Sequence, residues 1–177
     1  MRKLLFSAME KLLFSAVICV ILIFFLLFLK ATQVSSQNSV GPKTKSDYVI
    51  FAVSAVDHDS DFVAALDYIN EAIVLDSNDS FCYSFRGNIS LSQKNYESAL
   101  GDFIRAIWLG SKDLSDYLGR AQCYFFLGDY CSSLDDLNQV IARRPFDAPA
   151  YLWRSRVKRA MGLEFESDIK TYRFLNG

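Results

Sequence analysis

LSDYLGRAQCYFFLGDYCSSLDDLNQVIARRPFD, residues 114–147, carries apolar side chains at helical spacing in two runs, Tyr117 to Leu127 and Leu134 to Ile141. The turn-forming pair Gly128-Asp129 separates the runs and Pro145 closes the second. The stretch therefore predicts two helices joined by a tight turn. One hairpin of this size cannot bury both faces of its helices, so copies are expected on either side.

Shifting the chain against itself by 34 residues finds the copies without insertions. A small residue on the first helix, where the second helix comes close, falls at Val53, Gly87, Ala121 and Ser155; its counterpart on the second helix falls at Ala65, Ala99, Ser133 and Ser167. An aromatic opens the second helix at Phe62, Tyr96 and Tyr130, and Glu164 takes that place in the last copy. Further along stand Ile69, Phe103, Leu137 and Thr171, then Ala72, Ala106, Val140 and Phe174, while Ser77, Ser111 and Pro145 end the first three copies. The expected repeat domain is 46–177, divided into 46–79, 80–113, 114–147 and 148–177.

The pattern resembles the tetratricopeptide repeat family: an aromatic, Leu-Gly, an aromatic, then Ala, Phe, Ala and Pro over one repeat. The second copy carries it best, with Tyr83, Gly87, Tyr96, Ala99, Phe103 and Ala106, and the third adds Tyr117, Ala121, Tyr124, Gly128 and Pro145. The resemblance covers about three quarters of the chain. It implies an all-α solenoid of helical hairpins with a right-handed superhelical sweep, whose first helices line a concave inner face.

Carried onto this sequence, the family's inward positions give one rung of Ser54, Asn88, Gln122 and Arg156 and a neighbouring rung of Asp57, Leu91, Phe125 and Arg159. Polar groups that donate and accept hold an extended peptide by its backbone. Leu91, Phe125, Leu118 and Leu152 would add side-chain pockets. The expected partner groove is thus Ser54, Asn88, Leu91, Leu118, Gln122, Phe125, Leu152, Arg156 and Arg159. Interface packing is the competing reading of its apolar members. Some members of the family grip a chaperone's carboxylate tail with Lys, Asn and Arg. Here Ile50, Ser54, Phe81, Ser84, Phe85, Gly119, Pro149 and Trp153 do not match that set and only Asn88 does, so a chaperone-tail clamp is not expected.

Net charge is −1 over 177 residues, so nothing in the total points to nucleic acid. The charge is nevertheless sorted. Copy 46–79 holds eight acids and no Lys or Arg, whereas copy 148–177 holds six bases against Glu164, Glu166 and Asp168. Solvated helix faces account for this, as does steering of a partner. The last helix carries Phe165, Ile169, Tyr172, Phe174 and Leu175, an apolar face that predicts self-association, docking on a partner, or folding back onto the preceding hairpin.

Ahead of the repeats, Leu12 to Leu29 is an uncharged run of eighteen residues between Lys11 and Lys30. As a helix it would span about 27 Å, close to the hydrocarbon thickness of a bilayer. Its length favours an uncleaved transmembrane signal-anchor, although Val34-Ser35-Ser36 offers a signal-peptide cleavage site that would release a secreted protein. Arg2, Lys3 and Lys11 keep 1–11 cytoplasmic and send the repeats to the exported side, periplasmic, luminal or extracellular. Residues 30–45, rich in Ser, Thr, Gln and Asn and containing Gly41-Pro42, read as a linker.

No Gly-rich phosphate loop, nucleophile elbow or Cys-x-x-Cys is present. His58, the single histidine, stands beside Asp57 and Asp59 and lacks the ligand set a metal needs, so no catalytic residue, cofactor or metal is expected. Cys123 and Cys131 flank the Gly128 turn and would pair in an oxidising compartment; small buried core residues are the favoured reading. The expectation is a non-enzymatic, membrane-anchored adaptor for a protein or peptide partner. An accessory subunit of an envelope enzyme or secretion complex, and a cytosol-facing organelle receptor, are the alternatives.

Overall fold

The computed structural model describes residues 44–59 and 61–177, with the backbone alone at 58 and 59. The anchor expected at 12–29, its flank 1–11, linker residues 30–43 and the side chain of His58 lie outside the described residues. Among the described residues there are eight helices and no strand: α1 (Lys45–Asp59), α2 (Phe62–Leu75), α3 (Ser80–Ser92), α4 (Tyr96–Trp108), α5 (Leu114–Leu127), α6 (Tyr130–Arg143), α7 (Ala148–Ala160) and α8 (Glu166–Asn176). None of these is long and apolar enough to cross a membrane.

Each helix start has a local cause. Asp61, Asp79, Asn95, Asp113, Asp129 and Asp147 are N-caps of α2 to α7, their side chains accepting from otherwise unpaired first-turn amides. Lys45, read as the last linker residue, is already helical, because Thr44 and Asp47 cap α1 reciprocally at 3.0 and 3.2 Å. Much of the acidic character of the first repeat is used here: Asp47, Asp61 and Asp79 cap helices, and Lys45 bridges Asp76 and Asp79 at 2.9 and 2.8 Å.

Helices pair as α1–α2, α3–α4, α5–α6 and α7–α8, and each pair packs on the next. First helices of successive hairpins also touch, α3 with α5 and α5 with α7, so they converge on one side of the solenoid. The core is a row of clusters, each joining one hairpin to the next: Ala52, Ile69, Ala72 and Cys82; then Ala99, Phe103 and Cys123; then Ala121, Leu137, Val140, Ala150 and Val157. Phe103 is the wedge between the second and third hairpins. Its buried ring lies against Gly87 and Gly119, and a Cβ added at Gly119 would stand 2.5 Å from Cζ.

Two departures from the strict 34-residue phase appear at the ends. In the first hairpin Ala52, not Val53, is the buried small residue, since the turn is one residue longer: Asp61 N–H donates to the carbonyl of Ala55, six back, where Asn95, Asp129 and Leu163 each reach five back. In the last hairpin the expected inward residue Ser167 is exposed and Asp168 is buried instead. Thr171 and Phe174 lose their expected core places likewise, Phe174 being almost fully exposed. Leu163 to Phe165 are non-helical, so the connection before α8 is longer than the two-residue turn before α6 and α8 starts in a different phase.

Candidate functional site

The convergence of α3, α5 and α7 leaves an open groove of about 500 Å³. From α3 come Asn88, Leu91 and Ser92, from α5 Gln122 and Phe126, and from α7 Trp153 and Arg156; Lys94 and Tyr96 close the end nearest the α3–α4 turn. Asn88, Gln122 and Arg156 form the expected rung, one residue per hairpin. The Asn88 amide N–H donates to its own helix at the carbonyl of Ser84 (2.9 Å), which turns the amide oxygen into the group left for a ligand.

The floor is aromatic. Tyr96 and Phe126 stack with centroids 4.3 Å apart, Trp153 meets Phe126 edge-on at 5.8 Å, and the Arg156 guanidinium lies 4.6 Å over the Trp153 ring. The lining holds two cations, Lys94 and Arg156, and no carboxylate. Lys94 stands at φ +62°, in the left-handed region that the equivalent turns fill with Gly128 and Gly162. A lysine there costs about 1 kcal/mol.

The nine expected groove residues separate into three groups. Asn88, Leu91, Gln122 and Arg156 meet in the groove. Leu152 and Arg159 instead line a neighbouring hollow of about 240 Å³ with Arg156, Ser155, Phe165 and Ile169. Ser54 is exposed on α1 and lines neither hollow, and Leu118 and Phe125 pack against the core around Ala121 and Leu137. The one-residue choice between Phe125 and Phe126 is settled by packing: Phe125 is wedged against Tyr130 and Trp153, leaving Phe126 to face the groove. Tyr96 and Trp153 were legible only as a repeat aromatic and a failed clamp position, and Lys94 had no reading, although the two later copies hold Gly128 and Gly162 at its place.

Outside the groove, a repeated clasp holds the hairpins at fixed spacing. Arg86 meets Asp102, Arg120 meets Asp136 and Arg154 meets Asp168, each through two guanidinium hydrogen bonds of 2.7 to 3.0 Å. Arg86 and Arg154 reach further, to Asn70 and Asn138 of the preceding hairpin, at 2.7 and 2.9 Å. In the first hairpin the aromatic pair Phe51–Tyr68, 5.6 Å apart, takes the clasp's place. Burial pushes the Asp168 carboxyl up, but hydrogen bonds from Arg154 and Lys158 outweigh it and hold it below the usual range. Cys123 is buried against Ala99 and Phe103, burial pushing its thiol up to about 12, while Cys131 is exposed; both are free.

No family model matches the chain. Among solved structures it superposes on YrrB, a TPR protein with an unusual peptide-binding site, with a TM-score of 0.65 and 19% identity, over 84% of this chain and 74% of that one. It superposes also on the first TPR of Spaghetti (RPAP3) bound to the HSP90 peptide SRMEEVD, with a TM-score of 0.64 and 15% identity, over 71% of this chain and 98% of that one. The fold is a tetratricopeptide-like repeat. In sequence, this tetratricopeptide-like unit is similar to U-box domain-containing protein 70 of Oryza sativa subsp. japonica, 32% identical over 104 residues. That match takes in 59% of this chain and spans 13% of the rice protein's length.

Proposed function

We propose that this protein is a membrane-anchored adaptor that holds an extended segment of a partner protein in the groove between α3, α5 and α7. The observation that carries the reading is the groove itself: donor and acceptor groups of Asn88 and Gln122 set above the Tyr96–Phe126–Trp153 floor, with Lys94 and Arg156 as its only charges. Such a lining favours a segment with an apolar or aromatic side chain and a nearby carboxylate. Peptide binding by the two structural neighbours supports it. The role is binding, with no catalytic step assigned to the chain.

A photo-crosslinking amino acid at Gln122, introduced in the full chain in cells, is expected to trap a protein that the variant Trp153→Ala with Arg156→Glu no longer traps. The same crosslinker at Ser54, outside the groove, is expected to trap it far less. Adducts equal at both positions, or unaffected by the groove variant, would sink the reading.

Anchoring rests on the apolar run 12–29, and the exported orientation on the basic cluster ahead of it. Protease added to the cytoplasmic face of sealed membranes is expected to spare the repeats. Digestion from that face would reverse the orientation, and recovery of a soluble chain cut near Val34-Ser35-Ser36 would replace the anchor by a removed signal peptide.

A further inference from the structure

The four most exposed large apolar side chains among the described residues are Phe174 (84%), Phe146 (81%), Val74 (78%) and Trp108 (71%). All four lie where a second helix ends. Val74 and Trp108 are in the last turns of α2 and α4, Phe146 follows α6 and Phe174 is in the last turn of α8. Because successive helices alternate direction, the ends of all second helices share one edge of the solenoid with the starts of all first helices. The groove's aromatics do not account for this row, and none of the four lines either hollow.

The same edge bears cations. Arg105, Arg143 and Arg173 stand in the last turns of α4, α6 and α8. Arg105 lies 4.3 Å over the Trp108 ring. The acids there are engaged: Asp76 and Asp79 by Lys45, Asp47 by the Thr44 amide, Asp113 as a cap, Asp116 by the Ser111 hydroxyl, and Asp147 as a cap and partner of Arg144. Arg143, Arg173 and Lys112 form no ion pair among the described residues. Aromatic rings beside arginines are the side chains that settle at a membrane–water boundary, ring in the acyl region and guanidinium at the phosphates.

The chain also enters the repeats on this edge, since Lys45 at the start of α1 is ion-paired to Asp76 and Asp79 between α2 and α3. Fifteen residues, 30–44, separate that point from the apolar run 12–29, a reach of at most about 50 Å. From Val74, Trp108, Phe146 and Phe174, with Arg105, Arg143 and Arg173, we infer that this edge rests on a bilayer bearing anionic headgroups. The inference relies on the proposed membrane segment.

The test reconstitutes the full chain into phosphatidylcholine vesicles with brominated acyl chains, with and without phosphatidylglycerol. Trp153→Phe leaves Trp108 as the single tryptophan. The chain is expected to float with the vesicles after an alkaline wash, and bromine to lower Trp108 emission about twofold, more with phosphatidylglycerol. Phe146→Asp with Phe174→Asp should restore the emission without changing flotation. Trp108→Phe, which leaves Trp153 in the groove, should show little quenching. A chain that floats with Trp108 emission untouched, or quenched no more than Trp153, overturns the docking edge and leaves the anchor standing. A chain that stays in solution overturns both.

Discussion

The third hairpin, α5–α6, and the last, α7–α8, are closed by the same bidentate pair over different lengths of chain. Arg120 finds Asp136 sixteen residues on, and Arg154 finds Asp168 fourteen residues on. Had the last hairpin kept the phase of the third, Arg154 would face Lys170. Two like charges in a half-buried clasp are unfavourable; instead Leu163 to Phe165 stay non-helical and α8 is shifted by two residues. A shift of two turns a helix through about 200°, which is why Asp168 and Ile169 go in while Ser167 and Phe174 come out. Arg154 thus keeps a carboxylate partner in a register that departs from the repeat.

The largest test of this comparison is Asp136→Ala. It leaves Arg120 half-buried without its carboxylate, and a loss of about 3 to 5 kcal/mol is expected in urea unfolding followed by far-ultraviolet circular dichroism. Next, Gly119→Ala drives a methyl into the Phe103 ring and should cost about 2 kcal/mol. Gly101→Ala, with nothing within 4 Å of the added atom, is the control and should stabilise slightly.

Asp168→Ala is expected to cost about 1.5 kcal/mol, with the loss concentrated in amide protection of α8, which among the described residues packs chiefly on α7. Adding Lys170→Asp should return part of that protection by offering Arg154 the sixteen-residue partner that the third hairpin uses. If the double variant recovers none, register is set by the turn and not by the clasp. Acid gives the same contrast without mutation. The Asp168 carboxyl is depressed in the folded chain, so its contribution is present above the ordinary carboxylate pKa and is lost as pH falls through the folded value. The protection factors of the α8 amides should therefore fall below about pH 4.

The smallest effect concerns the turns. Lys94→Gly relieves the left-handed lysine, making its turn like those at Gly128 and Gly162, and should stabilise by about 1 kcal/mol. It also removes one of the two groove cations, so affinity for an acidic peptide should fall while stability rises. A variant that gains stability and keeps its affinity would remove Lys94 from the site.

The groove was partly legible for the same reason that the last hairpin was partly misread. Asn88, Gln122 and Arg156 are one residue per repeat, so periodicity alone aligns them. Phe126 and Trp153 come from positions that hold Ser92 and Gly119 one copy earlier, and which ring turns outward depends on what its neighbours already fill. A helical pattern cannot separate Phe125 from Phe126, because adjacent residues differ by about 100° and both border the apolar stripe. Gly119 was read only as an absent ligand, whereas its role is to leave room for Phe103.

By itself the sequence determined the hairpins: their number and the spacing of Ala65, Ala99 and Ser133, which are consequences of short-range geometry repeated along the chain. Only the tertiary structure decided the offset at Ala52, the register of α8, the ring that faces the groove and the edge where Trp108, Phe146 and Phe174 line up. Those depend on which buried charge finds a partner and which volume is already filled, and such contests are resolved between helices, after each helix has formed.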